Sequence, residues 1–286
     1  MTILVTGGNG QLGSALQLAS VKSNHRYIFT DIGELDITSA KAVEEIMAHE
    51  GVDMVVNCAA YTAVDLAEEQ EKKADEINNK AVAILAQACK RHNATLIHIS
   101  TDYIFAGDAT APIAESATPA PRNAYGRTKL AGEIAIAESG CKHIILRTSW
   151  LYSEYGKNFV KTMRHLTSTL SDIRVVADQI GTPTYAGNLA KAIVEIIESE
   201  QCNKFGTYNY SNLGKCSWFE FAVEIARQSG NNRCKINSCT TEEYPTKAER
   251  PRYSVLDKSK FINTFGIAIP EWRESLTECI KHLNKQ

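Results

Sequence analysis

Thr6-Gly7-Gly8-Asn9-Gly10-Gln11-Leu12-Gly13 follows a short apolar run, Ile3–Thr6, and opens a segment of helical periodicity near 11–20. Strand, glycine turn and helix in that order bring free backbone amides and the positive end of a helix dipole to one point. A pyrophosphate can sit there. Counted from Gly8 the run fits G-x-G-x-x-G; counted from Gly7 it fits G-x-x-G-x-x-G. Either spacing alone is a weak signal. Context adds weight, because Asp31 lies 18 positions after Gly13, at the end of the next apolar run. A carboxylate there can accept hydrogen bonds from adenosine ribose hydroxyls and would repel a 2′-phosphate. No Arg or Lys stands in the glycine loop or just after Asp31 to bind such a phosphate, so the local charges lean to NADH. Asp36, with Ile37 beside it, is a second polar group within reach of an adenine; its alternative role is to cap the next helix.

Working outward, Tyr27–Thr30, Met54–Asn57, Leu96–Ser100 and Ile144–Arg147 read as further strands whose near-continuous hydrophobicity suits burial on both faces. Between them the periodicity predicts helices near 11–20, 39–49, 73–91 and 127–138, the second with Thr38 or Ser39 as its N-cap. This alternation predicts an α/β fold, a doubly wound parallel sheet of the NAD(P)-binding Rossmann type over residues 1–150. From 151 to 286 the pattern is mixed. Residues 157–170, 188–198 and 218–228 look helical, and Pro183, Pro245, Pro251 and Pro270 punctuate the stretch. It reads as a smaller C-terminal substrate-binding lobe that exchanges segments with the first half.

Composition removes several classes. The formal charge of −2 gives no field for nucleic acid, and no basic run tracks phosphates. No apolar stretch reaches membrane-spanning length, and the N-terminus lacks the basic and apolar regions of a signal peptide. The eight cysteines form no C-x-x-C pair, which predicts reduced thiols and a cytoplasmic location. The histidines show no metal-ligand spacing, and no metal is expected.

The chemistry concentrates in two strings. Tyr125 and Lys129 lie four residues apart, on one face of a helix. Ketone reduction puts negative charge on the carbonyl oxygen, so an acid must supply a proton. A neighbouring ammonium is expected to lower the phenol's pKa and ready it for that task. Ser100-Thr101-Asp102-Tyr103 ends the fourth strand, at the edge where a cofactor crevice should open. A Thr101 hydroxyl there can polarise a substrate carbonyl.

The glycine loop, Asn57-Cys58-Ala59-Ala60, Ser100-Thr101-Asp102-Tyr103 and Tyr125-x-x-x-Lys129, in this order, resemble the extended short-chain dehydrogenase/reductases. Within them the chain is similar to the dTDP-4-dehydrorhamnose reductases. Ala59–Asp65, Ser100–Phe105, Arg147–Tyr152, Asn158–Met163, Asp178–Thr184 and Arg250-Pro251 carry that likeness over essentially the whole length. The resemblance implies NADPH or NADH as cofactor and a dTDP-linked 4-keto-6-deoxysugar as substrate. It implies Tyr125 as proton donor, Lys129 as its partner and ribose ligand, and Thr101 as the carbonyl-orienting hydroxyl. Gly7, Asn9, Gly10, Gln11, Leu12, Gly13, Asp31, Asp36, Ile37, Cys58, Ala59, Ala60 and Tyr61 would face the cofactor. Val64, Thr101, Asp102, Tyr103, Tyr125, Trp150, Asn158 and Arg250 would face the substrate, the last two at its diphosphate. Some members dimerise through Mg²⁺ held by glutamates near the glycine loop; Gly13-Ser14-Ala15-Leu16 offers no carboxylate. The expectation is therefore a monomer or weak homodimer. Two rival readings remain: a 4-ketoreductase giving the other epimer, such as a 6-deoxy-talose product, and a cofactor-binding regulatory subunit.

Overall fold

Ile3, Leu4 and Val5 are all fully buried although successive strand residues face opposite sides, so this strand is covered on both faces. The computed structural model describes residues 1–285 and shows what covers them. Strands β1 (Thr2–Thr6), β2 (Arg26–Thr30), β3 (Met54–Asn57), β4 (Thr95–Thr101) and β5 (Lys142–Thr148) alternate with helices. These are α1 (Gln11–Ala19), α2 (Ala40–Glu50), α3 (Val64–Ala67), α4 (Glu71–Asp75), α5 (Ala81–Arg91) and α6 (Ala124–Ser139). Then follow β6 (Leu151–Tyr152), α7 (Phe159–Thr169), β7 (Asp172–Val176), β8 (Ile180–Gly181), β9 (Thr184–Tyr185) and α8 (Ala186–Glu198). The chain ends through β10 (Gly206–Asn209), β11 (Cys216–Ser217), α9 (Trp218–Gln228), β12 (Lys235–Cys239), α10 (Ser259–Phe265) and α11 (Trp272–Leu283).

Six parallel strands form the main sheet in the order β2-β1-β3-β4-β5-β10. The path goes from β1 to β2 on one side and then to β3 on the other. That reversal opens a crevice outside the carboxyl ends of β1 and β3. On one face Ile3, Val5, Val56, Ile97 and Leu146 pack with Leu16 of α1, Leu189 and Ile193 of α8 and Phe261 of α10. On the other, Leu4, Val55, Leu96 and Ile145 pack with Met47 of α2, Leu85 of α5 and Ile136 of α6. Burying each such side chain stabilises the fold by roughly 1.5–3 kcal/mol. Thus α8, β10 and α10, all after residue 150, build the same core as the first strands. A separate core of Tyr152, Tyr185, Phe221, Trp272 and Leu276 lies under the paired β7 and β12 with α7, α9 and α11.

Two helices differ from the sequence expectation. The segment expected as one helix over 73–91 is interrupted by a π-helical turn, Glu76–Lys80, between α4 and α5. Its wider winding seats the fully buried Asn78, which accepts from Tyr61 N at 2.9 Å and donates to the Tyr61 carbonyl at 3.1 Å and Thr128 Oγ1 at 3.2 Å. Helix α6 starts earlier than expected because Asn123 caps it, accepting from Gly126 N at 2.8 Å. Of the two candidate caps for α2, Ser39 is used, accepting from Ala42 N at 3.3 Å. No helix among the described residues is long and apolar enough to cross a membrane.

Candidate active site

The glycine loop turns from β1 into α1 at the crevice. Gly7 has φ +66°, and a Cβ there would stand 2.7 Å from Ala59 N, so only glycine lets the β1 and β3 ends approach. The first amides of α1 have no intrahelical partner, and no acidic side chain occupies that turn. A pyrophosphate therefore meets donors and a positive dipole end. A crevice of about 470 Å³ is lined by Gly7, Gly10, Asp31, Asp36, Ile37, Cys58, Ala59 and Ala60, together with Leu35, Lys73 and Ile77. Asp31 accepts from Asn9 N at 3.0 Å and Ile32 N at 2.8 Å, which holds its carboxylate at the crevice wall. Asp36 accepts from Thr38 N and Oγ1 at 2.9 and 2.7 Å, and these bonds hold its pKa below the usual carboxylate range. The donor set, the glycine approach and the acidic wall fit a dinucleotide.

Several other residues expected at the cofactor turn their side chains elsewhere, while the backbone amides of residues 11–13 stay at the free end of α1. Leu12 is buried in the core, and Gly13 packs against Gly7 and Gly8. Gln11 Oε1 accepts from Ser153 Oγ at 3.1 Å and Asn158 Nδ2 at 2.9 Å, tying the loop to the second half of the chain. Tyr61 donates through its hydroxyl to Gln70 at 3.1 Å.

Beside the crevice, α6 presents Tyr125 to the end of β4. Its ring meets Tyr103 edge-on at 5.5 Å. Burial pushes the phenol's pKa above its ordinary value, and a hydrogen bond with Thr101 is what eases it. This differs from the sequence expectation of a phenol acidified by Lys129. The amine points down instead, donating to the Ile99 carbonyl at 2.6 Å and lying 3.2 Å from His98 Nε2. Burial lowers the Lys129 pKa to about 8. Thr101 Oγ1 donates to Asp102 at 3.1 Å and accepts from Tyr103 N at 3.2 Å. Asp102 is buried with Oδ2 unpartnered, and desolvation raises its pKa to about 6. It accepts from Thr101 and lines neither the crevice nor the second, aromatic-walled cavity beyond Tyr103. Gly126, next to Tyr125, is pressed against the Tyr103 carbonyl, where a Cβ would come within 2.2 Å of the oxygen.

A second cavity of about 650 Å³ is walled by Val64, Asp65, Tyr103, Trp150, Phe159, Arg174, Gln179, Trp218 and Arg250, among others. Trp150 holds φ at +49°, a conformation costly for a bulky residue. Its ring lies flat on Trp218, centroids 3.5 Å apart, with Phe159 beyond at 4.6 Å. Arg250 pairs with Asp65 and donates to Tyr103 Oη at 3.2 Å. Asn158 lies off this wall. It caps α7, and its Nδ2 donates to Gln11, to Ser153 O at 2.7 Å and to Tyr155 O at 3.2 Å. Sequence reasoning missed Trp218, Arg174, Gln179 and His98; only the fold brings them to the site.

The fold and this constellation define a class: a dinucleotide-binding oxidoreductase of the extended short-chain type. The chain belongs to the family described as RmlD substrate binding domain, whose model matches residues 1–285. It is 39% identical to a dTDP-4-dehydrorhamnose reductase of Aggregatibacter actinomycetemcomitans over 96% of each chain. Its structure is similar to that of a dTDP-4-dehydrorhamnose reductase from Clostridium acetobutylicum, with TM-score 0.95 and 44% identity, covering 99% of this chain and 100% of that one. A Bacillus anthracis dTDP-4-dehydrorhamnose reductase, solved in complex with NADP, gives TM-score 0.93 at 39% identity, covering 98% and 99%.

Proposed function

We propose that the chain reduces the C4 keto group of dTDP-4-dehydro-L-rhamnose to dTDP-L-rhamnose, using NADPH or NADH. One observation carries this reading. Tyr125 meets Tyr103, a wall of the aromatic cavity, edge-on, and Lys129 one turn along lies near Cys58, which lines the glycine-loop crevice; these neighbours support a reaction centre where the two spaces approach. A bound NAD(P)H supplies hydride. The protein supplies the rest. Tyr125, kept protonated by burial, gives its proton to the sugar O4 as charge develops there. Thr101 turns its hydroxyl from Asp102 to the carbonyl and steadies that charge. Lys129, held by the Ile99 carbonyl and His98, fixes the α6 side of the site, and its remaining N–H would be the one to meet the nicotinamide ribose.

The Trp150–Trp218 wall suits a flat thymine ring, and Arg250 and Arg174 suit the diphosphate. The lobe that carries this wall, mainly residues 151–286, acts as the substrate lobe. Eight free thiols suit a reducing compartment, so we place the enzyme in the cytoplasm, as a monomer or weak homodimer without a catalytic metal. The test generates the 4-keto sugar nucleotide in situ and follows absorbance with NADH and NADPH separately. Tyr125→Phe should lower turnover by roughly 10²–10⁴-fold with cofactor affinity unchanged. Near-normal turnover would end the assignment. Proton couplings at C4 of the product identify the epimer.

A further inference from the structure

Below Tyr125 a row of buried side chains crosses the sheet. Thr6 on β1, Asn57 on β3 and His98 on β4 stand opposite one another in register, and the row ends on Lys129 from α6. Thr6 Oγ1 lies 2.7 Å from Asn57 Oδ1, Asn57 Nδ2 3.0 Å from His98 Nδ1, and His98 Nε2 3.2 Å from Lys129 Nζ. All four residues are at most 1% exposed.

The protons in this row can be counted. The Ala59 amide, which can only donate, points at Asn57 Oδ1 at 3.1 Å. That fixes the carboxamide: its oxygen faces Ala59 and Thr6, and its NH₂ faces His98. His98 Nδ1 must then accept. A neutral imidazole carries one N–H, so the hydrogen sits on Nε2, aimed at Lys129. A donor aimed at a nitrogen favours that nitrogen's lone pair over an ammonium.

We propose that His98 is a positioning residue for the reaction: oriented by Asn57, it presents its Nε2–H to the Lys129 amine and so keeps that amine ready to shed its proton. The other groups facing the amine are Cys58 from the turn after β3 and Glu133 one turn along α6. Glu133 favours the ammonium but is itself held by Arg147 of β5 and Ser100 of β4. Burial keeps His98 neutral, its pKa well below the usual value, and burial likewise brings Lys129 down to about 8. Each reduction takes one proton from Tyr125. The lower the pKa of that ammonium, the stronger its tendency to hand a proton to the phenolate that the reaction leaves.

That consequence for turnover rests on the reductase reading, but the test needs neither substrate nor activity. In protein labelled at histidine with ¹⁵N and ¹³C, long-range correlations between pH 6 and 9 report the tautomer, with His98→Gln identifying the signals. The Nε2–H form is expected throughout; the Nδ1–H form or an imidazolium overturns the proposal. Asn57→Leu frees the ring to turn its lone pair to the amine. The Lys129 midpoint, read from its ¹³Cε shift, should then rise by about one unit or more. An unmoved midpoint also overturns it. The tautomer measurement stands on the unaltered chain should Asn57→Leu not fold.

Discussion

Gly126→Ala tests whether the spacing of α6 from β4 sets the chemistry. The added Cβ would sit 2.2 Å from the Tyr103 carbonyl oxygen and 3.0 Å from Pro121 Cβ. The carbonyl is backbone, in the short turn that follows Thr101, and no flexible side chain can yield. Ordinary contact requires α6 to retreat by about 1 Å, and that retreat pulls Tyr125 away from Thr101 and the carbonyl it must protonate. A displacement of that size costs on the order of 10²-fold in rate, equivalent to about 2.7 kcal/mol on the barrier. Alanine's better helix propensity, worth about 1 kcal/mol, offsets part of the stability loss. The variant should therefore fold and fail in chemistry. Turnover is read from NADH absorbance and cofactor affinity from NADH fluorescence. Expected are a roughly hundredfold lower kcat and a much smaller change in NADH Kd, since the glycine loop is untouched and only the Lys129 contact moves with α6. A kcat within about threefold of the parent would refute the argument that this contact positions Tyr125.

Three further outcomes can be checked. Asp31→Ala should raise the KM for NADH by roughly 10–100-fold, the worth of one or two bonds to a charged acceptor, while raising that for NADPH less; parallel changes for both cofactors would remove Asp31 from the ribose. Glu133→Gln leaves Arg147 charged in a nearly dry site, where the pair now bonds at 2.6 Å. Breaking such a pair costs about 3–5 kcal/mol, seen as a drop of roughly 10 °C in Tm; an unchanged Tm contradicts this. Asp102 holds its proton to about pH 6 in the folded chain, against an ordinary aspartate value of 3.8. The folded state therefore binds more protons than the unfolded one between those values, and this group's contribution to stability falls as pH rises through that window. Asp102→Asn should raise Tm at pH 7 and leave it nearly unchanged at pH 4; equal effects at both would show that Asp102 does not titrate in that range.

The sheet was legible because strands covered on both faces must be apolar throughout, as Ile3–Val5 and Val55–Val56 are. Tyr125, Lys129 and Thr101 were legible because their chemistry is written in local spacing. The direction in which Lys129 points was not. It depends on His98, which meets Asn57 only through the register of β3 with β4, a relation between residues 41 positions apart. Trp218 was hidden for the same reason, since its partner Trp150 precedes it by two helices and several strands. Asn158 entered as a diphosphate ligand through the family resemblance alone, and its carboxamide is occupied in capping α7 and bridging to Gln11.

The π-turn at Glu76–Lys80 has a consequence for how the chain tolerates change in length. Such a turn is equivalent to one extra residue inserted into an α-helix. Deleting one residue there would let α4 and α5 fuse into a continuous rod. Everything upstream would swing by about 100° around the axis. Lys73, at the mouth of the crevice, would face another direction, and the anchor for the Tyr61 loop would be lost. A single-codon deletion at this point would improve the helix and dismantle the wall of the cofactor crevice.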